Sequence, residues 1–231
     1  MSNRQSARFT ERKAKEVNSL LARAYGLKKR SGNGDPVDTL VETILSQNTT
    51  DVNSSRAFSA LKCRYPDWEE MIDVPPETVA AIIRSGGLAE IKAKRIIGAL
   101  RRLKSERGNI TLDFIVGMTP EEAEAWLASI DGVGPKTAAI VLLFSFGMPA
   151  FPVDTHVFRV SKRLGLVAIR SSRESAQREL SHLVHPNAYY SMHLNLIEHG
   201  RRTCRPRTPL CKNCILSKLC DHNRESPKAQ A

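Results

Sequence analysis

Several features are missing from this sequence of 231 residues. No apolar run approaches the roughly 18 residues that a membrane-spanning helix needs, and the polar first residues lack the apolar core of a secretory signal. No convincing strand pattern, heptad array or internal repeat is visible. These absences exclude a membrane partner and lead us to expect a cytoplasmic protein, in a compartment where thiols stay reduced.

Acidic residues are fewer than basic ones in this sequence. The chain has 35 Lys and Arg residues against 24 Asp and Glu, which gives a net charge of +11 and a pI near 9.7. Such a field attracts polyanions, and nucleic acid is the most common polyanionic partner. On charge alone, a generic basic surface stays an open alternative.

The pattern is helical almost throughout and predicts an all-α fold. Asp35 is a candidate N-cap before Pro36, and Thr119 begins a capping-box sequence before Pro120. The helix at 92–106 is unusually basic and counts Lys92 among its charges, and the last long helix is expected to stop at Gly200. The other predicted helices span 8–25, 36–45, 51–62, 67–72, 77–84, 119–130, 135–146, 155–164, 174–184 and 187–199.

A glycine turn separates helices 119–130 and 135–146. Gly132 and Gly134 let the backbone turn tightly and approach a ligand, while Val133 between them can anchor the turn in the core. Free N–H groups at the start of the second helix make an anion site, for which a DNA phosphate is the natural occupant. Together with Thr137, these residues are our candidate DNA contacts. The alternative is an ordinary helical hairpin whose glycines only make a turn.

Two candidate catalytic residues, Lys136 and Asp154, follow this turn in the sequence. A neutral lysine amine can attack an electron-poor carbon, and burial or nearby positive charge favours the neutral form. A carboxylate can stabilise developing positive charge or move protons. The alternatives are a phosphate-binding or solvated lysine and an aspartate that only caps helix 155–164.

Four of the five cysteines fall within a short segment. Because a reducing compartment disfavours disulfides, this segment indicates a metal site. The Cys-x6-Cys-x2-Cys-x5-Cys spacing leaves both a tetrahedral zinc ion and a [4Fe-4S] cluster open. A metal there could brace the loop so that Arg205 and Arg207 meet DNA phosphates. The cysteines are Cys204, Cys211, Cys214 and Cys220.

Taken together, these motifs resemble the endonuclease III family. The region Ile130 to Val160, with Gly-Val-Gly-x-Lys-Thr-Ala and Val-Asp-Thr-His, is similar to the helix–hairpin–helix, Gly-Pro-Asp superfamily of base-excision DNA glycosylases, and the likeness extends through Leu40 to Asp51 and the cysteine segment. The resemblance implies a two-lobed fold. A six-helix barrel would span 29–149, with its hairpin at about 119–146. An iron–sulfur cluster domain would combine 1–28 with 150–223, before a flexible tail at 224–231.

The resemblance also implies an activity. The family's members remove oxidised pyrimidines from damaged double-stranded DNA and cut the abasic site by β-elimination through a lysine Schiff base, which assigns the nucleophile to Lys136 and the catalytic carboxylate to Asp154. It further implies a [4Fe-4S] cluster on the four clustered cysteines and a monomer associated with the nucleoid. Two alternatives stay open: a mismatch-specific glycosylase, and a non-catalytic iron–sulfur DNA-binding protein.

Two loops match the family's duplex-invading positions. One contains Gln47 and Asn48, and the other contains Leu88, which would be an apolar wedge. The plain alternatives are a capping cluster for the first loop and a core leucine for the second. Asn48 stands where the family commonly has glutamine, and the stretch Asn109 to Met118 is longer than usual; both departures bear on the choice of lesion.

Overall fold

The computed structural model describes residues 3–30 and 34–225 and contains no strand within them. The all-α prediction is confirmed. The α-helices are α1 (Asn3–Tyr25), α2 (Pro36–Leu45), α3 (Asp51–Arg64), α4 (Pro76–Ile82), α5 (Ala89–Arg107), α6 (Pro120–Ala128), α7 (Pro135–Val141), α8 (Thr155–Leu164), α9 (Arg173–Leu183), α10 (Tyr189–Arg202) and α11 (Asp221–Glu225).

The helices group into two compact units. One unit contains α2 to α7, from Gly34 to Met148; the other contains α1 and the described residues from Pro149 onward. In the first unit, the apolar stripe of α2 is fully covered, because Leu40, Val41, Ile44 and Leu45 are all 0% exposed. In the second unit, α10 packs against α1 and α8.

Side-chain caps begin several helices as the sequence predicts. The Asp35 carboxylate accepts a hydrogen bond from the Val37 N–H at 2.8 Å, and Thr119 forms a capping box with Glu122. Thr50 accepts from Asn53 N–H at 3.4 Å and caps α3. Each cap satisfies a backbone donor that helix geometry leaves unpaired.

Two predicted helices differ from the expected α-helix in type, and a third runs further than expected. The helix expected at 67–72 is a 3-10 helix at Trp68–Met71. The helix predicted at 135–146 does end at Phe146, but after α7 it widens into a π-helical turn at Leu142–Phe146. Helix α10 continues through Gly200 to Arg202. A Cβ on Gly200 would lie 3.0 Å from His156 Cβ, so this glycine permits close packing against α8 and does not end the helix.

No helix in the part of the chain that the structure describes is long and apolar enough to cross a membrane. The predicted flexible tail begins at Arg224, which together with Glu225 lies in α11. The rest of that tail lies outside the described residues.

Candidate functional site

The glycine turn lies between α6 and α7. Gly132 has φ +78°, a left-handed conformation that disfavours a Cβ, and Val133 is 4% exposed and anchors the turn in the core. Gly134 is extended, and a Cβ built on it would meet nothing within 4 Å. The backbone at Gly134 is therefore open to the approach of a ligand.

Gln47 fixes the loop after α2 to this turn. Its Nε2 donates to the Gly132 carbonyl at 2.9 Å and to Thr137 Oγ1 at 3.4 Å. Arg95 Nη1 in turn donates to Gln47 Oε1 at 3.3 Å. Thr137 is 3% exposed, so its hydroxyl braces the turn from within. The predicted contact residues Gln47 and Thr137 thus lie behind the turn, whereas Asn48 in the same loop is exposed.

Asn48 and Leu88 share an uncommon backbone conformation. Their φ angles are +52° and +49°, and they are the only non-glycine residues with positive φ in the described ranges. The left-handed region costs a non-glycine residue roughly 1–2 kcal/mol. Leu88 is also 53% exposed, so the alternative of a core leucine is wrong. Local strain of this kind concentrates at functional sites.

Lys92, one of the basic residues of α5, is buried. It is 1% exposed, and its Nζ donates to the carbonyls of Leu45 and Gly86 at 2.7 Å each. Burial lowers the pKa of this ammonium group. The sequence contains a signal for this burial, because Lys92 lies on the same helix face as Ile96 and Leu100, which are buried.

Lys136 lies in the first turn of α7, immediately after Pro135. Its side chain is half-buried, whereas the next residues of the helix, Thr137 and Ala138, are buried. The turn at Gly132 to Gly134 is therefore followed, after Pro135, by the candidate nucleophile Lys136.

Asp154 caps α8. Its Oδ1 accepts a hydrogen bond from the Val157 N–H at 2.7 Å, which confirms the capping interpretation and leaves room for a second role. Asp154 is half-buried and directly follows a buried segment that includes Phe151 and Val153. Burial lowers the pKa of the neighbouring His156, although the Asp154 charge opposes this effect.

The four clustered cysteines line one pocket with Val160, Leu164 and His199 in its wall. Burial raises the pKa of Cys214 to about 11 and also raises that of Cys220. Arg163 Nη1 lies 3.4 Å from Cys204 Sγ. Among the residues the structure describes, no group of three or more His, Cys, Asp or Glu side chains could hold a metal ion as placed.

The loop between the first two cysteines is held by Arg163. Its guanidinium donates to the carbonyls of Arg205 and Pro206, both at 2.7 Å. The side chains of Arg205 and Arg207 are exposed. The loop therefore has a fixed backbone and two cationic side chains directed to solvent.

A helical fold with this turn and cysteine pocket is that of a DNA repair protein. A family model described as HhH-GPD superfamily base excision DNA repair protein matches residues 41–186. Endonuclease III of Thermotoga maritima is 36% identical over 85% of this chain and 87% of its own length. The chain therefore belongs to the HhH-GPD superfamily and, within it, to the endonuclease III family of DNA glycosylases.

Other relatives agree with this assignment. Endonuclease III of Escherichia coli is 34% identical over 82% of this chain and 85% of its own length. A candidate DNA glycosylase of Arabidopsis thaliana is 38% identical over 77% of this chain, which spans only 58% of the plant protein. Among solved structures, a trapped endonuclease III–DNA covalent intermediate matches with a TM-score of 0.80 and 28% identity, covering 93% of this chain and 97% of that chain.

Proposed function

We propose that this chain is a bifunctional DNA glycosylase and abasic-site lyase that removes oxidised pyrimidines from damaged duplex DNA. The observation that carries the proposal is Lys136, placed in the first turn of α7 two residues after the open backbone of Gly134. A structure similar to this one is a covalent endonuclease III–DNA intermediate. Covalent chemistry of that kind requires a nucleophile, and a lysine amine is suited to it.

Lys136 acts on the sugar of the damaged nucleotide. Its neutral amine bonds to C1′, the bond from C1′ to the base breaks, and the base leaves with the bonding electrons and takes up a proton. Opening of the sugar ring gives a Schiff base between Lys136 and C1′. Loss of the C2′ proton then expels the 3′ phosphate and cuts the strand.

Asp154 assists departure of the base. Its carboxylate stabilises positive charge that develops on the sugar, and it can accept or return a proton during the later steps. The hydrogen bond from the Val157 N–H holds the carboxylate in one orientation. A fixed negative charge is more effective than a mobile one, because it needs no reorganisation during the reaction.

The remaining predicted residues bind the duplex. Open backbone at Gly134 approaches a phosphate, and Arg205 and Arg207 pair with others. Asn48 and Leu88, exposed and strained, fill the gap that an extruded nucleotide leaves. Gln47, Gly132, Val133 and Thr137 support these contacts by shaping the turn. We propose that the enzyme works in this way as a monomer on the nucleoid DNA of the cytoplasm.

The four cysteines are the residues that would hold a [4Fe-4S] cluster. They line one pocket, and their four thiols match the four thiolate ligands that such a cluster takes. Because burial raises the pKa of Cys214 to about 11, the charge of a bound cluster is what would favour the thiolate there. Cys204, Cys211 and Cys220 complete the ligand set. The cluster would brace the loop that carries Arg205.

Borohydride trapping tests the central role of Lys136. Wild-type protein incubated with an abasic duplex and borohydride is expected to form a stable covalent adduct, and Lys136→Gln is expected to form none while still binding the duplex. Lys94→Gln, a change at an exposed lysine of α5, is the matched control and should trap normally. The proposal fails if wild type gives no adduct or if Lys136→Gln still gives one.

The mismatch-glycosylase alternative has no comparable support. A thermostable thymine-DNA glycosylase matches with a TM-score of 0.76, but at 23% identity this likeness concerns the fold alone. The residue that separates the two reactions is Lys136, which a glycosylase that uses only water does not need.

A further inference from the structure

Lys92 joins two segments that lie far apart in the sequence. Its Nζ donates to the carbonyl of Leu45, at the end of α2, and to the carbonyl of Gly86, just before α5. Both distances are 2.7 Å, and both hydrogen bonds are buried. A single ammonium group therefore holds the starting points of two loops, which we define as the first loop (46–50) and the second loop (86–88).

Each loop carries one strained residue close to its anchor. Asn48 lies three positions after Leu45, and Leu88 lies two positions after Gly86. No other non-glycine residue in the described ranges has a positive φ. Strained backbone persists only where the surroundings hold it in place. Both strained residues lie close to a carbonyl that Lys92 binds, which indicates that Lys92 helps to hold both loops.

Gly86 is closely packed in the core next to the other acceptor. A Cβ on Gly86 would lie 3.3 Å from Ala57 Cβ in α3 and 4.0 Å from the Leu45 carbonyl oxygen. The absence of a side chain at Gly86 therefore suits close packing against α3, and Lys92 supplies the hydrogen-bond donor for the two buried carbonyls of Leu45 and Gly86. An apolar side chain at position 92 would leave both of them without this donor.

Lysine suits this place better than most residues. Its ammonium group is compact and carries several donors on one atom, so that it can serve two acceptors from different segments. The cost of burying the charge is offset by short, charge-assisted hydrogen bonds. The neighbouring Lys94 is exposed and makes no such link, which shows that a basic helix alone does not account for Lys92.

We propose that Lys92 is a positioning residue that holds the first and second loops at a fixed separation, so that Asn48 and Leu88 enter the duplex together. This inference rests on the proposed function of the chain. Because the two loops are already ordered in the free protein, DNA binding does not have to supply the free energy of ordering them. Asn48 and Leu88 can then fill the gap as soon as the nucleotide is extruded. Lys92 takes no part in the covalent chemistry, which belongs to Lys136.

The test separates nucleotide extrusion from lyase chemistry. The substrate is a lesion duplex with 2-aminopurine beside the lesion, whose fluorescence rises when stacking is lost. Lys92→Met is expected to slow this rise at least ~10-fold, while borohydride trapping on a single-stranded abasic oligonucleotide, which needs no extrusion, stays within about threefold of wild type. Lys94→Met removes the same charge from the same helix and is expected to leave both measurements unchanged.

Lys92→Arg keeps the N–H donors and is the second variant, informative if Lys92→Met does not fold. It is expected to extrude within about threefold of wild type. The inference is overturned if folded Lys92→Met extrudes at the wild-type rate, if it loses single-stranded trapping to the same degree as extrusion, or if folded Lys92→Arg extrudes ~10-fold more slowly. Failure of wild-type protein to trap at all would instead overturn the proposed function.

Discussion

At the scale of single residues, Leu88 combines two costs that a purely structural residue would avoid. More than half of its apolar side chain is exposed, and its backbone lies in the left-handed region. Such a position gains little from burial and loses roughly 1–2 kcal/mol to strain. A function at the DNA, as a wedge that replaces an extruded nucleotide, accounts for both costs.

Replacement of Leu88 by glycine should therefore separate stability from activity. Glycine removes the backbone strain, and its larger entropy in the unfolded state offsets part of this gain. We therefore expect the free energy of unfolding to stay unchanged or to rise by up to ~1 kcal/mol. The single-turnover rate of base release should fall at least ~10-fold. Chemical denaturation and a base-release assay measure the two effects.

Leu27→Gly is the matched control for this prediction. Leu27 is 68% exposed and its φ is not positive, so glycine should lower the free energy of unfolding by up to ~1 kcal/mol and leave base release unchanged. A destabilised Leu88→Gly protein that retains the wild-type rate would contradict the wedge role.

Lys92 shows where sequence reasoning fails at this scale. Charge predicts a surface residue, since lysine is almost never fully buried without partners. Its partners are two backbone carbonyls from Leu45 and Gly86, and carbonyls carry no sequence signature. The apolar stripe of α5 predicts the buried face, but nothing in it says that an ammonium group would be satisfied there.

At the scale of elements, the glycine turn uses its two glycines for different reasons. Gly132 needs its positive φ and has Arg95 against it, because a Cβ there would clash with the Arg95 side chain. Gly134 has an ordinary extended conformation and open space around it. One glycine therefore serves the fold, and we propose that the other permits the approach of DNA.

Alanine at each glycine should reveal this division. Gly132→Ala is expected to lower the free energy of unfolding by about 1–3 kcal/mol, because the new Cβ is strained and displaces Arg95. Gly134→Ala should leave stability within about 0.5 kcal/mol of wild type but weaken binding to abasic duplex DNA. Denaturation and a fluorescence-anisotropy titration test the pair. A Gly134→Ala protein with wild-type affinity would contradict the phosphate contact.

The helix starts were predictable where a side chain forms the cap. Asp35, Thr119 and Asp154 carry the signal in their own chemistry, and each accepts the expected backbone N–H. The π-helical turn after α7 and the continuation of α10 through Gly200 were not predictable, because they depend on packing. Gly200 resembles a helix stop in sequence and serves close contact with His156 in the fold.

At the scale of the whole molecule, the chain gathers distant segments into one of its two units. Helix α1 joins residues from Pro149 onward, and contacts such as the 2.7 Å ion pair of Lys13 with Asp221 tie the two ends of the chain together. The cysteine pocket belongs to this unit. Its four thiols are recognisable in the sequence, whereas its wall, which includes His199 and Leu164, becomes evident only in the fold.

Removing one proposed ligand should empty the pocket of its cluster. Cys211→Ser is expected to lose most of the bound iron, about four atoms per chain in the wild type, together with the visible absorbance of the cluster. Cys63→Ser is the control, since Cys63 is exposed and does not line the pocket. Iron analysis and absorbance spectra decide the result. Purified wild type with one zinc ion and no iron would refute the proposed cofactor.

The central claim is that one residue, Lys136, both releases the base and cuts the strand. The most direct test is a single-turnover reaction on a duplex with one ring-saturated pyrimidine, in which base release and strand cleavage are measured separately. We predict that wild type produces both and that Lys136→Gln loses both by at least ~100-fold. Base release without cleavage in the wild type, or cleavage that survives in Lys136→Gln, would contradict the account.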